Sequence, residues 1–171
     1  MRKNSKQAFT LLEVLITFVI AGIIALMAIP TLMGQIKDWQ VKEDILKVEQ
    51  AIKEARSNAI TRSRTCLIDF SQASTSNGQD GGLVQVKQGN GTLISQFYLS
   101  KNVLYNSTSS TISSNVIRFD FRGQPVDSSG ATSGFTTSTN QVTISYYKGS
   151  TALASKSTTV TPVTGYAKII N

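Results

Sequence analysis

The chain has 171 residues, 17 basic against 10 acidic side chains for a net charge of +7, one cysteine and no histidine. That length supports one modest domain beyond any anchor segment. A lone cysteine, Cys66, excludes an intrachain disulfide, and the lack of histidine excludes His-based triads and His-ligated metal sites.

Residues 1–8 read Met-Arg-Lys-Asn-Ser-Lys-Gln-Ala, with three cations and no acid. They take the side-chain balance of the remainder from +7 to +4, a weak argument for DNA or an anionic surface. Positive charge before an apolar run argues for a cytoplasmic N-terminus. Residues 14–36 then carry no charge. As helix they would extend about 34 Å, against a hydrocarbon core of roughly 30 Å, long enough to cross a bilayer. Glu13 stands at the mouth of this run. An ionised carboxylate in hydrocarbon costs roughly 2.5–3.5 kcal/mol on insertion scales, so it needs a partner or a function. A plain signal anchor with Glu13 near the interface is one reading. A cleaved secretory signal peptide is another, opposed by the length of the run, by the carboxylate and by Leu26 three residues before a cut after Ala28.

The helix is expected to continue past the apolar run. Val41, Ile45, Val48, Ile52, Ala55 and Ala59 recur at alternating spacings of four and three, one helical stripe, and Glu43–Lys47 and Glu49–Lys53 are i,i+4 pairs in the favourable orientation. The stripe reads as an amphipathic half-helix lying on a globular domain. Pro30 removes one helical hydrogen bond, and with Gly22 and Gly34 it predicts a bend or a loosened turn.

Beyond Arg64 the composition turns to Ser, Thr, Gly and alternating apolar residues. Candidate strands cover 65–70, 83–87, 92–99, 116–121, 142–147, 157–161 and 166–170, with Ile117, Phe119 and Phe121 on one face. Polar stretches at 71–82, 106–115 and 127–140 read as solvated loops. Cys66 reads as a buried small apolar residue on a strand. No paired carboxylates, nucleophile motif or phosphate loop appears, and Gly78-Gln-Asp-Gly-Gly82 lacks the Lys-Ser/Thr of a P-loop. Asp69, Asp80, Asp120 and Asp127 are isolated, and nothing acidic follows Asp127, so neither a metal site nor a cofactor is expected.

The segment Ala-Phe-Thr-Leu-Leu-Glu from Ala8 to Glu13, with Gly22 and Pro30 beyond it, resembles the N-terminus of type IV pilins and type II secretion pseudopilins. The resemblance implies a basic leader cut by prepilin peptidase between Ala8 and Phe9, N-methylation of Phe9, and a role for Glu13 in assembly and axial register. The family residue before the cut is usually Gly; Ala8 is also small. Farther on, Phe119 and Gly123 match a Phe-x-x-x-Gly turn and Gly165 a glycine opening the last strand, which resembles the GspH/FimT/FimU group of minor pilins and pseudopilins.

The expected fold is α+β, a long N-terminal hydrophobic helix packed on a C-terminal antiparallel head of two sheets. Its parts are a leader (1–8), a membrane or filament-core half-helix (9–36), an amphipathic half-helix (37–63) and a β-rich head (64–171). The implied partners are other pilin-class subunits, prepilin peptidase, an inner-membrane assembly platform and the lipid bilayer, with the head periplasmic or extracellular after assembly. The resemblance implies a structural, non-enzymatic role as a minor pilin at or near the tip of a type IV pilus, helping to prime assembly, with a minor pseudopilin of a type II secretion system as an alternative. A competence pilin touching DNA through Lys148, Lys156 and Lys168 and an unprocessed membrane-anchored β domain are the alternatives; the C-terminal arginine motif of DNA-binding relatives is replaced by Gly165-Tyr-Ala-Lys168.

Overall fold

The computed structural model describes residues 10–75, 81–127, 129–132, 140–162 and 164–170, the side chains of 27–31 and Ser113 excepted. Helix α1 runs Leu11–Thr61. The chain divides into two compact units between Ile36 and Lys37.

In the second unit the helical stripe is the spine of the core. Val41, Ile45, Val48, Ile52, Ala55 and Ala59 are all buried, joined by Ala51. Full burial of a Val or Ile side chain contributes about 1.5–3 kcal/mol, so this stripe stabilises the half-helix far more than its i,i+4 ion pairs, Glu43–Lys47 at 3.0 Å and Glu49–Lys53 at 2.9 Å. The helix ends without a glycine. Ser63 takes the left-handed conformation at φ 50°, Arg64 N–H donates to the Ala59 carbonyl at 3.1 Å, and Ser63 N–H donates to that of Ile60 at 3.2 Å. This is the paired hydrogen-bond pattern of a Schellman ending, with serine where glycine is usual.

The strands are β1 (Cys66–Asp69), β2 (Leu83–Gln88), β3 (Leu93–Tyr98), β4 (Val103–Tyr105), β5 (Val116–Phe119), β6 (Pro125–Val126), β7 (Gln141–Lys148), β8 (Thr151–Val160) and β9 (Ala167–Ile170). They form two sheets, β3-β2-β1-β5-β6 and β4-β7-β8-β9, in which the pairings are antiparallel. Cys66, Ile68, Val84, Val86, Ile117 and Phe119 from the first sheet and Val103, Val142, Ile144 and Val160 from the second join the helical stripe in one hydrophobic core. Cys66 is free and buried as its strand position predicts, and burial pushes its thiol pKa up. On the first sheet Lys87 Nζ lies 2.8 Å from Asp69 Oδ2. Burial would raise the Asp69 pKa, but hydrogen bonds from Lys87 and Ser71 outweigh it and hold the carboxyl below its ordinary range.

Each of the seven expected strands is present, with corrections at the edges. The strand expected over 116–121 stops at Phe119, because Asp120 Oδ1 accepts the N–H groups of Arg122 (2.9 Å) and Gln124 (2.8 Å) and closes a turn. Phe121 thereby leaves the face of Ile117 and Phe119 and is 54% exposed. The strand expected over 157–161 begins six residues earlier, at Thr151. It pairs with β7 across the two-residue hairpin Gly149-Ser150, where only Gly149 has positive φ (64°), as a type II′ turn demands. Strands β4 and β6 are additional. The loop over 106–115 is not wholly solvated: Ile112 is buried, and the Thr143 N–H and the Gln141 N–H donate to the side chains of Ser110 (2.9 Å) and Thr111 (3.0 Å). Part of this loop therefore satisfies the β7 backbone as an edge strand would.

Candidate functional site

Three places in the structure bear on function, two of them carrying residues singled out by the sequence. The first is the start of α1. Ala8 and Phe9 lie outside the described residues. Thr10 caps the helix: the Glu13 N–H donates to the Thr10 carbonyl at 3.1 Å and lies 3.3 Å from Thr10 Oγ1. Thr10-Leu-Leu-Glu13 thus has the spacing of a capping box, a signal legible in the sequence, and it puts the Glu13 carboxylate in the first turn, where the helix dipole favours negative charge. Glu13 is exposed.

The segment around it is apolar on every side. All the large apolar side chains from Leu11 to Leu26 are at least 43% exposed, up to 84% at Leu11. A helix that is hydrophobic all round belongs in a core or a membrane. Among the described residues, no helix is long and apolar enough to cross a membrane. The helix assignment continues through Pro30. A Cβ built on Gly22 or Gly34 would meet nothing within 4 Å. Glycine costs a helix about 1 kcal/mol relative to alanine, and no packing contact among the described residues requires it at either position.

The second place is a junction where both sheets close on α1. Arg56 Nε donates to the Gly123 carbonyl at 3.2 Å, and its guanidinium lies 5.3 Å from the Tyr166 ring centre. Gly123 (φ 75°) and Gly165 (φ 65°) both adopt a conformation that favours glycine. A Cβ on Gly123 would stand 2.6 Å from Ile60 Cδ1; one on Gly165 would stand 2.7 Å from the Gly123 carbonyl oxygen and 3.0 Å from Phe119 Cε1. Phe119, Gly123 and Gly165, far apart in sequence, therefore meet in one contact against the helix. Beside it a shallow groove of about 260 Å³ is lined by Lys53, Arg56, Ser57, Ile60, Gly165 and Tyr166.

The third place is the end of the head where α1 enters it. Asp44 is buried, and its carboxylate accepts the Ser100 N–H at 2.6 Å, the Ser100 hydroxyl at 3.1 Å and Lys47 Nζ at 3.0 Å. These bonds pin the β3–β4 turn to the helix. Burial would lower the Lys47 pKa, but its hydrogen bonds to Glu43 and Asp44 outweigh that and hold it above the ordinary lysine value. Asp44 escaped the sequence reading although it falls on the apolar stripe, three residues after Val41 and next to Ile45. A carboxylate on such a stripe signals a buried polar partner.

The three lysines considered for DNA do not share a face. Lys156 is opposite Ile144, so it shares the face of Val142 and Ile144, whereas Lys168 is opposite Thr159 on the other face. Lys148 closes the β7–β8 hairpin, separated from the level of Lys168 by about 25 Å of strand. Among the described residues no group of three His, Cys, Asp or Glu side chains is placed to hold a metal ion.

Residues 3–29 match a family model described as the prokaryotic N-terminal methylation motif. Over 56 residues the chain is 43% identical to the type II secretion system core protein G of Klebsiella michiganensis, a match covering 30% of this chain and 39% of that protein. The chain thus spans well under half the length of that curated relative. In fold it is similar to the crystal structure of the type IV minor pilin FimU of Pseudomonas aeruginosa, with a TM-score of 0.50, 10% sequence identity, and coverage of 77% of this chain and 88% of that one.

Proposed function

We propose that this chain is a minor filament subunit of the type IV pilin and pseudopilin family, incorporated at or near the tip of a type IV pilus, where it helps to prime assembly; the N-terminal methylation motif, the match to core protein G and the FimU-like fold support this reading. The observation that carries this reading is the exposed apolar start of α1 with one carboxylate in its first turn. Such a surface is stable in water only when covered, first by lipid and then by the helices of other subunits. Within the proposal, prepilin peptidase cuts between Ala8 and Phe9, Phe9 is methylated, and the inner-membrane assembly platform draws the helix from the bilayer into the filament. In the filament the Glu13 carboxylate meets the Phe9 amine of a neighbour and fixes axial register. Gly22, with open space around it, lets a neighbouring helix approach closely. Pro30 supplies a helix without one backbone hydrogen bond, the weak point at which it bends.

A second reading is a pseudopilin of a type II secretion system, favoured by the match to core protein G. Removing the chain from its cell separates the two. Loss of surface pili with secretion intact is the expected result. Loss of protein secretion with pili intact would transfer the subunit to the secretion system.

A further inference from the structure

We propose that the rim of the head surrounding the entry of α1 binds the anionic phospholipid headgroups of the bilayer in which the subunit waits for assembly. The inference rests on the reading of this chain as a membrane-anchored subunit. The rim is built from three pieces. The first is the start of the amphipathic half-helix, with Lys37, Trp39 and Lys42 immediately after the apolar run. The second is the β3–β4 turn carrying Lys101, tied to the helix by the Asp44–Ser100 bonds. The third is the end of the β7–β8 hairpin, carrying Lys148. These pieces are joined to one another: the Tyr147 N–H donates to the Asn102 carbonyl at 2.8 Å, and Lys37 Nζ lies 5.7 Å from the centre of the Tyr146 ring.

The rim carries an excess of positive charge. Among the described residues, none of Lys37, Lys42, Lys101 and Lys148 makes an ion pair with a carboxylate. Of the nearby acids, Glu43 and Asp44 are both engaged by Lys47, which leaves Asp38 against four lysines. Trp39 is large, apolar and 70% exposed. Tryptophan flanked by lysines just beyond an apolar helix is the composition that settles at headgroup level, where the indole is half-immersed and each cation attracts anionic lipid. The rim would hold the head against the membrane surface and set the depth from which the helix is extracted. It also gives Lys148 a role separate from Lys168, which lies at the far end of the sheet.

Trp39 is the only tryptophan in the chain, so its fluorescence reports this contact alone. The full chain is reconstituted in phosphatidylcholine vesicles with and without phosphatidylglycerol, and flotation first establishes that it is anchored. Phosphatidylglycerol is expected to shift the Trp39 emission to shorter wavelength and protect it from acrylamide. A lysine near an anionic surface strengthens partition about fivefold, so K101Q/K148Q should weaken the contact about 25-fold and abolish the lipid-dependent shift. K168Q, at the opposite end of the sheet, should retain it. A chain that floats with the vesicles but shows the same Trp39 emission in both lipids overturns the rim contact and leaves the anchored subunit standing. A chain that does not float at all removes the anchoring and the contact together.

Discussion

Glu13→Val is expected to leave the subunit folded and membrane-inserted but nearly absent from filaments. The head does not depend on Glu13, whose side chain is exposed in the first turn of α1, so the melting of the head should be unchanged. Insertion should be as good or better, because the carboxylate costs roughly 2.5–3.5 kcal/mol in hydrocarbon. That cost is the driving force in the filament model: an unpaired carboxylate in lipid becomes a paired one when it reaches a neighbour's amine. Losing the whole difference lowers the filament-to-membrane ratio by up to about 300-fold. The ratio is read by immunoblotting sheared filaments against the membrane fraction. Glu13→Asp, which keeps the charge on a shorter arm, should fall between. A Glu13→Val ratio equal to wild type would remove the charge from the assembly mechanism.

Gly165→Val should destabilise the head more than any surface substitution. The new side chain would be forced into the left-handed region at φ 65°, costing roughly 1–2 kcal/mol, and its Cβ would press on the Gly123 carbonyl, Phe119 and Arg56. Overpacking of that kind adds about 1–3 kcal/mol. The sum corresponds to a fall in Tm of about 10 °C. Gly91→Val is the control: its φ is also positive, at 89°, but no atom lies within 4 Å of its Cβ position. Only the backbone cost applies there, so its melting temperature should fall by less than half as much. Equal losses at the two sites would show that the junction of the two sheets on α1 carries no packing constraint.

The difference between these glycines explains what could be read from the sequence. A helical stripe is a local pattern, so Val41 to Ala59 were legible from spacing alone and are buried as spaced. The alternating strands were legible for the same reason. The three-residue β4 and two-residue β6 were not, because so few residues establish no period. The start of β8, Thr-Ala-Leu-Ala-Ser, has small residues that fit a strand only because β7 supplies the partner. Phe121 kept the alternation but lost the strand to the Asp120 turn, a local hydrogen-bonding contest that periodicity does not register. Of the functional residues, Glu13 was conspicuous as a charge beside an apolar run, whereas the capping role of Thr10 was legible in the Thr-x-x-Glu spacing and was masked by that charge. Asp44 was hidden among its charged neighbours and is distinguished only by its place on the stripe. The meeting of Gly123 and Gly165 on Arg56 is a contact between distant segments, and it required the fold.

In the proposed function the mature chain starts at a methylated Phe9, four residues before Glu13. The direct measurement is the intact mass and N-terminal fragment sequence of the protein recovered from its own cells. Met1 through Ala8 are expected to be gone, with the chain starting at an N-methylated Phe9. A chain retaining Met1, with an unmodified Phe9 inside it, would rule out pilin-type processing.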